Sequence, residues 1–116
     1  MTATTGVAAK KVKRFDMWWV NLDPTLGREI NKQRPCVVVS PDVMNDRLQT
    51  VLVVPLTSGG FGFPARLAVT LKGKAGFLPV DQMRAVDKQR LVDCPGILPA
   101  RFQRSLLALL QEVFAE

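Results

Sequence analysis

Between Trp18 and Pro41 the chain reads WWVNLDPTLGREINKQRPCVVVSP, two apolar runs parted by a polar loop and broken at Pro24, Gly27, Pro35 and Pro41. Proline has no donor for a β-ladder and glycine admits sharp turns, so the stretch reads as strand, loop, strand. Residues 16 to 22 form the first strand, in which Trp18 and Trp19 point to opposite faces and one of them belongs to the core. Asp23-Pro24-Thr25 stops it, and the loop runs to Gln33. Pro35 to Ser40 then make a short strand whose CVVV run suits burial on both sides.

The same punctuation continues. Asp42 to Arg47 suit one helical turn with Ser40 as its cap, and Thr50 to Leu56 return as a β-branched strand. A glycine-rich loop at Ser58 to Pro64 precedes strands at Arg66 to Leu71, Gly76 to Val80 and Gln82 to Val86, with Lys72-Gly73-Lys74 as a hairpin turn. A last strand at Arg90 to Asp93 is closed by Cys94-Pro95-Gly96. From Pro99 the period changes to that of a helix: Leu98, Phe102, Leu106, Leu109 and Val113 share one side, with Pro99 at the first position. Short strands followed by one packing helix indicate a mainly β fold, a small, strongly bent sheet or barrel with a C-terminal helix.

At 116 residues and 47% hydrophobic content the chain makes a single domain. Residues 1–13 read as a flexible basic arm and 14–116 as the domain. No apolar run approaches the roughly 20 residues of a membrane span, and the first fourteen residues lack a secretory apolar stretch, so a cytoplasmic protein without a membrane partner is expected. Cys36 and Cys94, without metal-like spacing, are expected to stay reduced. Histidine is absent, which leaves any chemistry to Asp, Glu, Arg, Lys and hydroxyls and gives no reason to expect a metal or cofactor. The net charge of +6 suits a polyanion, but Lys10, Lys11, Lys13 and Arg14 supply four of the sixteen basic residues; without them twelve bases face ten acids. The tail serves solubility or nucleic-acid contact equally well.

A few residues have the chemistry to act on such a partner. Arg34 precedes a proline, which biases its backbone to an extended form, and its guanidinium fork fits two phosphodiester oxygens; it reads also as a surface arginine paired with Glu29 or Asp81. Thr57 and Ser58 can donate to a phosphate oxygen, or simply turn the chain. Asp81, held ionised near an arginine, can take a proton from a ribose 2′-hydroxyl, or pin that arginine. Phe61, Phe63 or a tryptophan offers a flat face to a splayed base, although phenylalanines in a glycine-rich loop also plug barrel ends. Asn31, Lys32 and Gln33 are donors for base reading in the loop that starts at Arg28.

Three segments in order, Trp19 to Pro41, VVPLTSGG at Val53 to Gly60 and VDQMRAVD at Val80 to Asp87, resemble the motifs of the MazF/PemK (Kid) family of toxin endoribonucleases, over roughly residues 15 to 114. The resemblance implies an SH3-like barrel assembled as a homodimer, and a type II toxin restrained by an acidic, partly disordered antitoxin, the complex sitting on operator DNA. It implies that Arg34, Thr57 and Asp81 are catalytic in a metal-independent, sequence-selective cleavage of single-stranded RNA, in which the 2′-hydroxyl attacks and a 2′,3′-cyclic phosphate and a 5′-hydroxyl are left. Arg28, Asn31, Lys32, Gln33, Ser58, Phe61 and Arg84 are the expected substrate-binding residues. The chain departs from the PemK branch twice: Arg28 stands in place of a histidine, and Pro79 in place of an arginine two residues before the aspartate. Arg84 is the candidate for the missing cation. Two rival readings of this fold remain, a toxin that binds DNA gyrase without catalysis, and an SH3-like binding module that binds RNA without cutting it.

Overall fold

The computed structural model describes residues 10–58 and 65–115. Its strands are β1 (Asp16–Asn21), β2 (Gln33–Val38), β3 (Thr50–Pro55), β4 (Arg66–Leu71), β5 (Lys74–Pro79), β6 (Arg84–Asp87) and β7 (Leu91–Ile97). Helix α1 (Asp42–Arg47) lies between β2 and β3, and α2 (Ala100–Val113) ends the fold. Five strands form one antiparallel sheet in the order β6-β3-β2-β1-β7, while β4 and β5 form a hairpin of their own. The hairpin is tied to the sheet by a bridge between Thr57 and Phe77. No helix among the described residues is long and apolar enough to cross a membrane.

The central strands explain the CVVV run. Cys36 and Val38 enter one core cluster with Trp18, Val20, Val53 and Leu91, while Val37 and Val39 enter a second with Val54, Leu78, Leu98 and Leu106. Strand alternation sends neighbours to opposite faces, so a strand covered on both sides must be apolar throughout. The tryptophan pair splits as alternation demands: Trp18 is buried and Trp19 is 38% exposed. At the β4–β5 turn, Lys72 and Gly73 both take positive φ, 51° and 78°, the two-residue geometry whose twist matches that of the strands it joins.

Four local expectations are corrected. Ser40 does not cap α1, whose N-cap is Pro41; its hydroxyl donates to Asn45 Oδ1 at 2.5 Å and accepts from the Leu52 amide at 3.1 Å, a buried use that outweighs capping. Gln82 belongs to a single 3-10 turn, Val80–Gln82, and the following strand starts at Arg84. Cys94-Pro95-Gly96 lies inside β7 rather than closing it; β7 is an edge strand with register shifts against β1, where proline is tolerated. Val113 is 43% exposed in the last turn of α2, and Phe102, Leu109 and Leu110 complete the packed face around Leu106.

The basic segment before β1 is seated from Lys10 onward. Lys10 Nζ donates to the carbonyls of Lys88 and Leu91, Val12 is 2% exposed in the first core cluster, and Arg14 Nε donates to the Val39 carbonyl at 2.8 Å. Residues 10–13 thus form part of the domain they precede. Val12→Ala is expected to lower the free energy of unfolding by about 2 kcal/mol, seen as a lower urea midpoint at unchanged slope.

Candidate active site

Arg34 enters the sheet at the start of β2, opposite Val20, with the Trp19–Pro35 pair beside it. It is half-buried, and its Nε donates to the Asn31 carbonyl at 3.2 Å. Neither carboxylate proposed for it takes it up: Glu29 Oε1 accepts the Leu26 amide at 2.6 Å, and Asp81 is paired with Arg66. Arg34 instead lines a cleft of about 320 Å³ with Trp19, Thr57, Ser58 and Lys74. Among the described residues lining this cleft there are two cations, two hydroxyls and an exposed indole, and no carboxylate. Such a lining attracts anions and offers a face on which a base can stack.

Thr57 owes its position to β5. Its amide donates to the Phe77 carbonyl at 3.0 Å and its carbonyl accepts the Phe77 amide at 2.9 Å, which clamps the chain just beyond β3. Beside this bridge Gly76 leaves no room for a side chain, because an added Cβ would lie 2.7 Å from the Thr57 carbonyl oxygen. Gly76→Ala is therefore expected to push β5 from Thr57 and to cost about 1–3 kcal/mol of stability, read as a lower midpoint in thermal melts.

Asp81 lies on the 3-10 turn after β5 and lines a neighbouring cleft of about 330 Å³ with Glu29, Ile30, Gln82 and Arg84. Arg66 grips it with two bonds, Nη2 to Oδ2 at 3.1 Å and Nε to Oδ1 at 3.3 Å. Arg84 also lines this cleft, but its Nη1 donates to the Leu22 carbonyl at 3.1 Å. The guanidinium on the aspartate comes from Arg66, which faces Pro79 across the β4–β5 hairpin. A cation supplied across a hairpin leaves no trace in sequence spacing, which is why it escapes a reading along the chain.

The two clefts occupy one end of the sheet. Cys36 pairs with Pro55 and Val53 with Arg84, so the start of β2, the end of β3 and the turn before β6 lie side by side. Pro55 lines the Asp81 cavity and Leu56 the Arg34 cavity, so consecutive residues at the end of β3 stand between the two. Arg34 and Thr57 thus share a cavity, and Asp81 stands in the adjacent one.

The loop between β1 and β2 carries the remaining candidates. Leu22 N to Lys32 O at 2.9 Å and Lys32 N to Asp23 Oδ1 at 3.0 Å close its base, and Gln82 Oε1 accepts the Ile30 amide at 3.4 Å. Arg28, Lys32 and Gln33 are exposed, and Asn31 is half-buried. Phe61 and Phe63 lie outside the described residues. Lys74 and Arg66 are the site cations missed in the sequence. Cys36 and Cys94 are unbridged, and burial pushes the Cys36 thiol up to about 12 against the opposing charge of Arg84, so it stays protonated and inert near neutrality.

A mainly β domain with a C-terminal helix, carrying at one sheet end a cleft lined by two cations and two hydroxyls, is the class of small protein that fold and site define. Comparison narrows this class: the chain belongs to the PemK-like, MazF-like toxins of type II toxin-antitoxin systems, whose family model matches residues 13–114. It is 40% identical over 81 residues to the endoribonuclease PemK of Escherichia coli, covering 66% of this chain and 61% of PemK. Against the endoribonuclease toxin MazF of Escherichia coli K12 it is 34% identical over 71 residues, 61% of this chain and 64% of that protein. It thus spans less than two thirds of the length of either. The endoribonuclease MazF9 of Mycobacterium tuberculosis is 38% identical over 95 residues, 70% of this chain and 77% of that protein. In fold it matches the crystal structure of MazF from Deinococcus radiodurans with a TM-score of 0.78 at 24% identity, over 90% of this chain and 96% of that one. The MazE-MazF complex of the same organism matches at 0.73 and 20% identity, over 91% and 97%.

Proposed function

We propose that this protein is a metal-independent, sequence-selective endoribonuclease that cleaves single-stranded RNA, and that it acts as the toxin of its pair by destroying messages. The observation that carries the reading is the cleft in which Arg34 and Thr57 stand with Lys74, free of carboxylates among its described lining. RNA laid across this end of the sheet meets Arg34 and Thr57 on one side of the Pro55–Leu56 edge and Asp81 on the other. Asp81 takes the proton of the 2′-hydroxyl, and the 2′-oxygen attacks the adjacent phosphorus in line. The bond to the 5′-oxygen breaks, and that oxygen takes up a proton. Arg34 and Thr57 hold the non-bridging oxygens as charge accumulates on the phosphorane. The products are a 2′,3′-cyclic phosphate and a 5′-hydroxyl.

Trp19 and Lys74 extend the cleft beyond the scissile linkage, the indole for a base and the ammonium for the next phosphate. Arg28, Asn31, Lys32 and Gln33 on the β1–β2 loop, with Ser58 at the cleft rim, read the flanking nucleotides. Relatives of this fold are known in complex with their cognate antitoxins. For this chain an acidic, partly disordered antitoxin segment would close the cationic cleft, on a homodimer that binds operator DNA as the full complex in the cytoplasm.

The test is cleavage of matched substrates. RNA is expected to be cut equally with and without EDTA, and the 2′-deoxy version of the same sequence to remain whole. Cleavage of the deoxy substrate, or loss of activity to the chelator, overturns the scheme; binding without cleavage products would reduce the protein to an RNA-binding module.

A further inference from the structure

The Arg66–Asp81 pair is an unusual arrangement for a base that must face a ribose, since the guanidinium edge takes both carboxylate oxygens. The backbones that carry the pair are fixed: Arg66 faces Pro79 in the hairpin register, and the Val80 amide donates to the Ala65 carbonyl at 3.0 Å. The side chains themselves are partly open to solvent, at 25% for Arg66 and 37% for Asp81. Both bonds are longer than the roughly 2.7–2.9 Å of a tight charge-assisted pair, and solvent at these side chains screens them, so a competing anion meets a modest barrier to exchange. The Nε and Nη2 edge fits the two free oxygens of a phosphodiester as well as it fits those of a carboxylate.

Resting on the reading of Asp81 as the base, we propose that Arg66 is a phosphate-binding residue of the RNA groove, masked by Asp81 until substrate arrives. A phosphodiester takes the guanidinium edge, and the displaced carboxylate turns toward the ribose. Binding of RNA and release of the base are then one event, and Asp81 competes with RNA for Arg66.

Competition fixes the sign of the effects. With 2′-deoxy RNA as an uncleavable probe, Asp81→Asn is expected to tighten binding about threefold to fivefold. In an Arg66→Gln background the same change should give no gain. Arg66→Gln alone should weaken binding and reduce the slope of log K against log salt by about 0.7, the single-strand value for one phosphate contact. Arg66→Lys should restore the slope while recovering only part of the affinity, because it keeps the charge and loses the fork. Equal tightening in both backgrounds would mean a general field effect, and unchanged or weaker binding by Asp81→Asn would mean a static pair; either result overturns the proposal. Cleavage of ordinary RNA is read separately. Activity retained by Asp81→Asn removes the base reading, whereas failure of the binding cycle removes only the mask.

Discussion

Arg34→Ala is expected to lower kcat/KM for RNA cleavage about 10³-fold, the scale on which losing one preorganised donor to transition-state charge is felt. The loss should fall mainly on kcat, because Lys74, Trp19 and the loop residues still hold the strand while the phosphorane is left without its fork. Stability should hardly move. Arg34 is half-buried, its side chain's one described hydrogen bond goes to the Asn31 carbonyl, and the strand beneath it is anchored by Cys36, Val37 and Val38, all fully buried. Arg34→Lys should recover only a small part of the rate, since an ammonium supplies charge without two parallel donors. Steady-state cleavage of a fluorogenic oligoribonucleotide, with thermal melts on the same samples, checks both parts. A near-wild-type rate for Arg34→Ala would remove this residue from the chemistry.

The sequence was most readable where one local rule dominated. The buried CVVV strand, the split tryptophan pair, the Lys72-Gly73 turn and the amphipathic final helix each follow from alternation, turn chemistry or the helical period, and each is present. Errors collected where tertiary contacts compete with a local preference. Ser40 has the chemistry of a cap but answers to Asn45 and Leu52, which lie in its own buried neighbourhood. Pro95 looks like a terminator, and an edge strand with shifted register accommodates it. The basic run before β1 looks like a free tail, whereas Val12 is an apolar residue that finds the core.

The candidate site divides along the same line. Arg34, Thr57 and Asp81 were singled out by the family resemblance, and antiparallel pairing sets the start of β2, the end of β3 and the turn before β6 at one end of the sheet. Lys74 and Arg66 were not, because their proximity to the site is created by hairpin register and by the bridge from Thr57 to Phe77, neither of which has a local signature. Arg66 also changes the meaning of Pro79. A proline at that position need not leave the aspartate without a cation when the facing strand provides one.

Asp81→Asn carries the second large effect, a fall in kcat of about 10²–10⁴-fold, the usual contribution of a positioned general base. The substitution keeps the shape of the side chain and its capacity to accept from Arg66 at one oxygen, while removing the charge that draws a proton from the 2′-hydroxyl. Because the pair it alters is partly exposed, the cost to stability should stay within about 1 kcal/mol, so a large rate loss could not be blamed on unfolding. Asp81→Glu separates charge from position: it retains the base but displaces it by about one carbon–carbon bond, and a misplacement near 1 Å costs on the order of 10²-fold. Single-turnover cleavage with enzyme in excess isolates the chemical step from binding, which the mask predicts will improve in the asparagine variant. A slow step with tight binding is the expected combination. An asparagine variant that cleaves at the rate of the unaltered chain would leave Asp81 as a structural partner of Arg66 and require the proton to be taken elsewhere, with Glu29 of the same cleft next to be replaced.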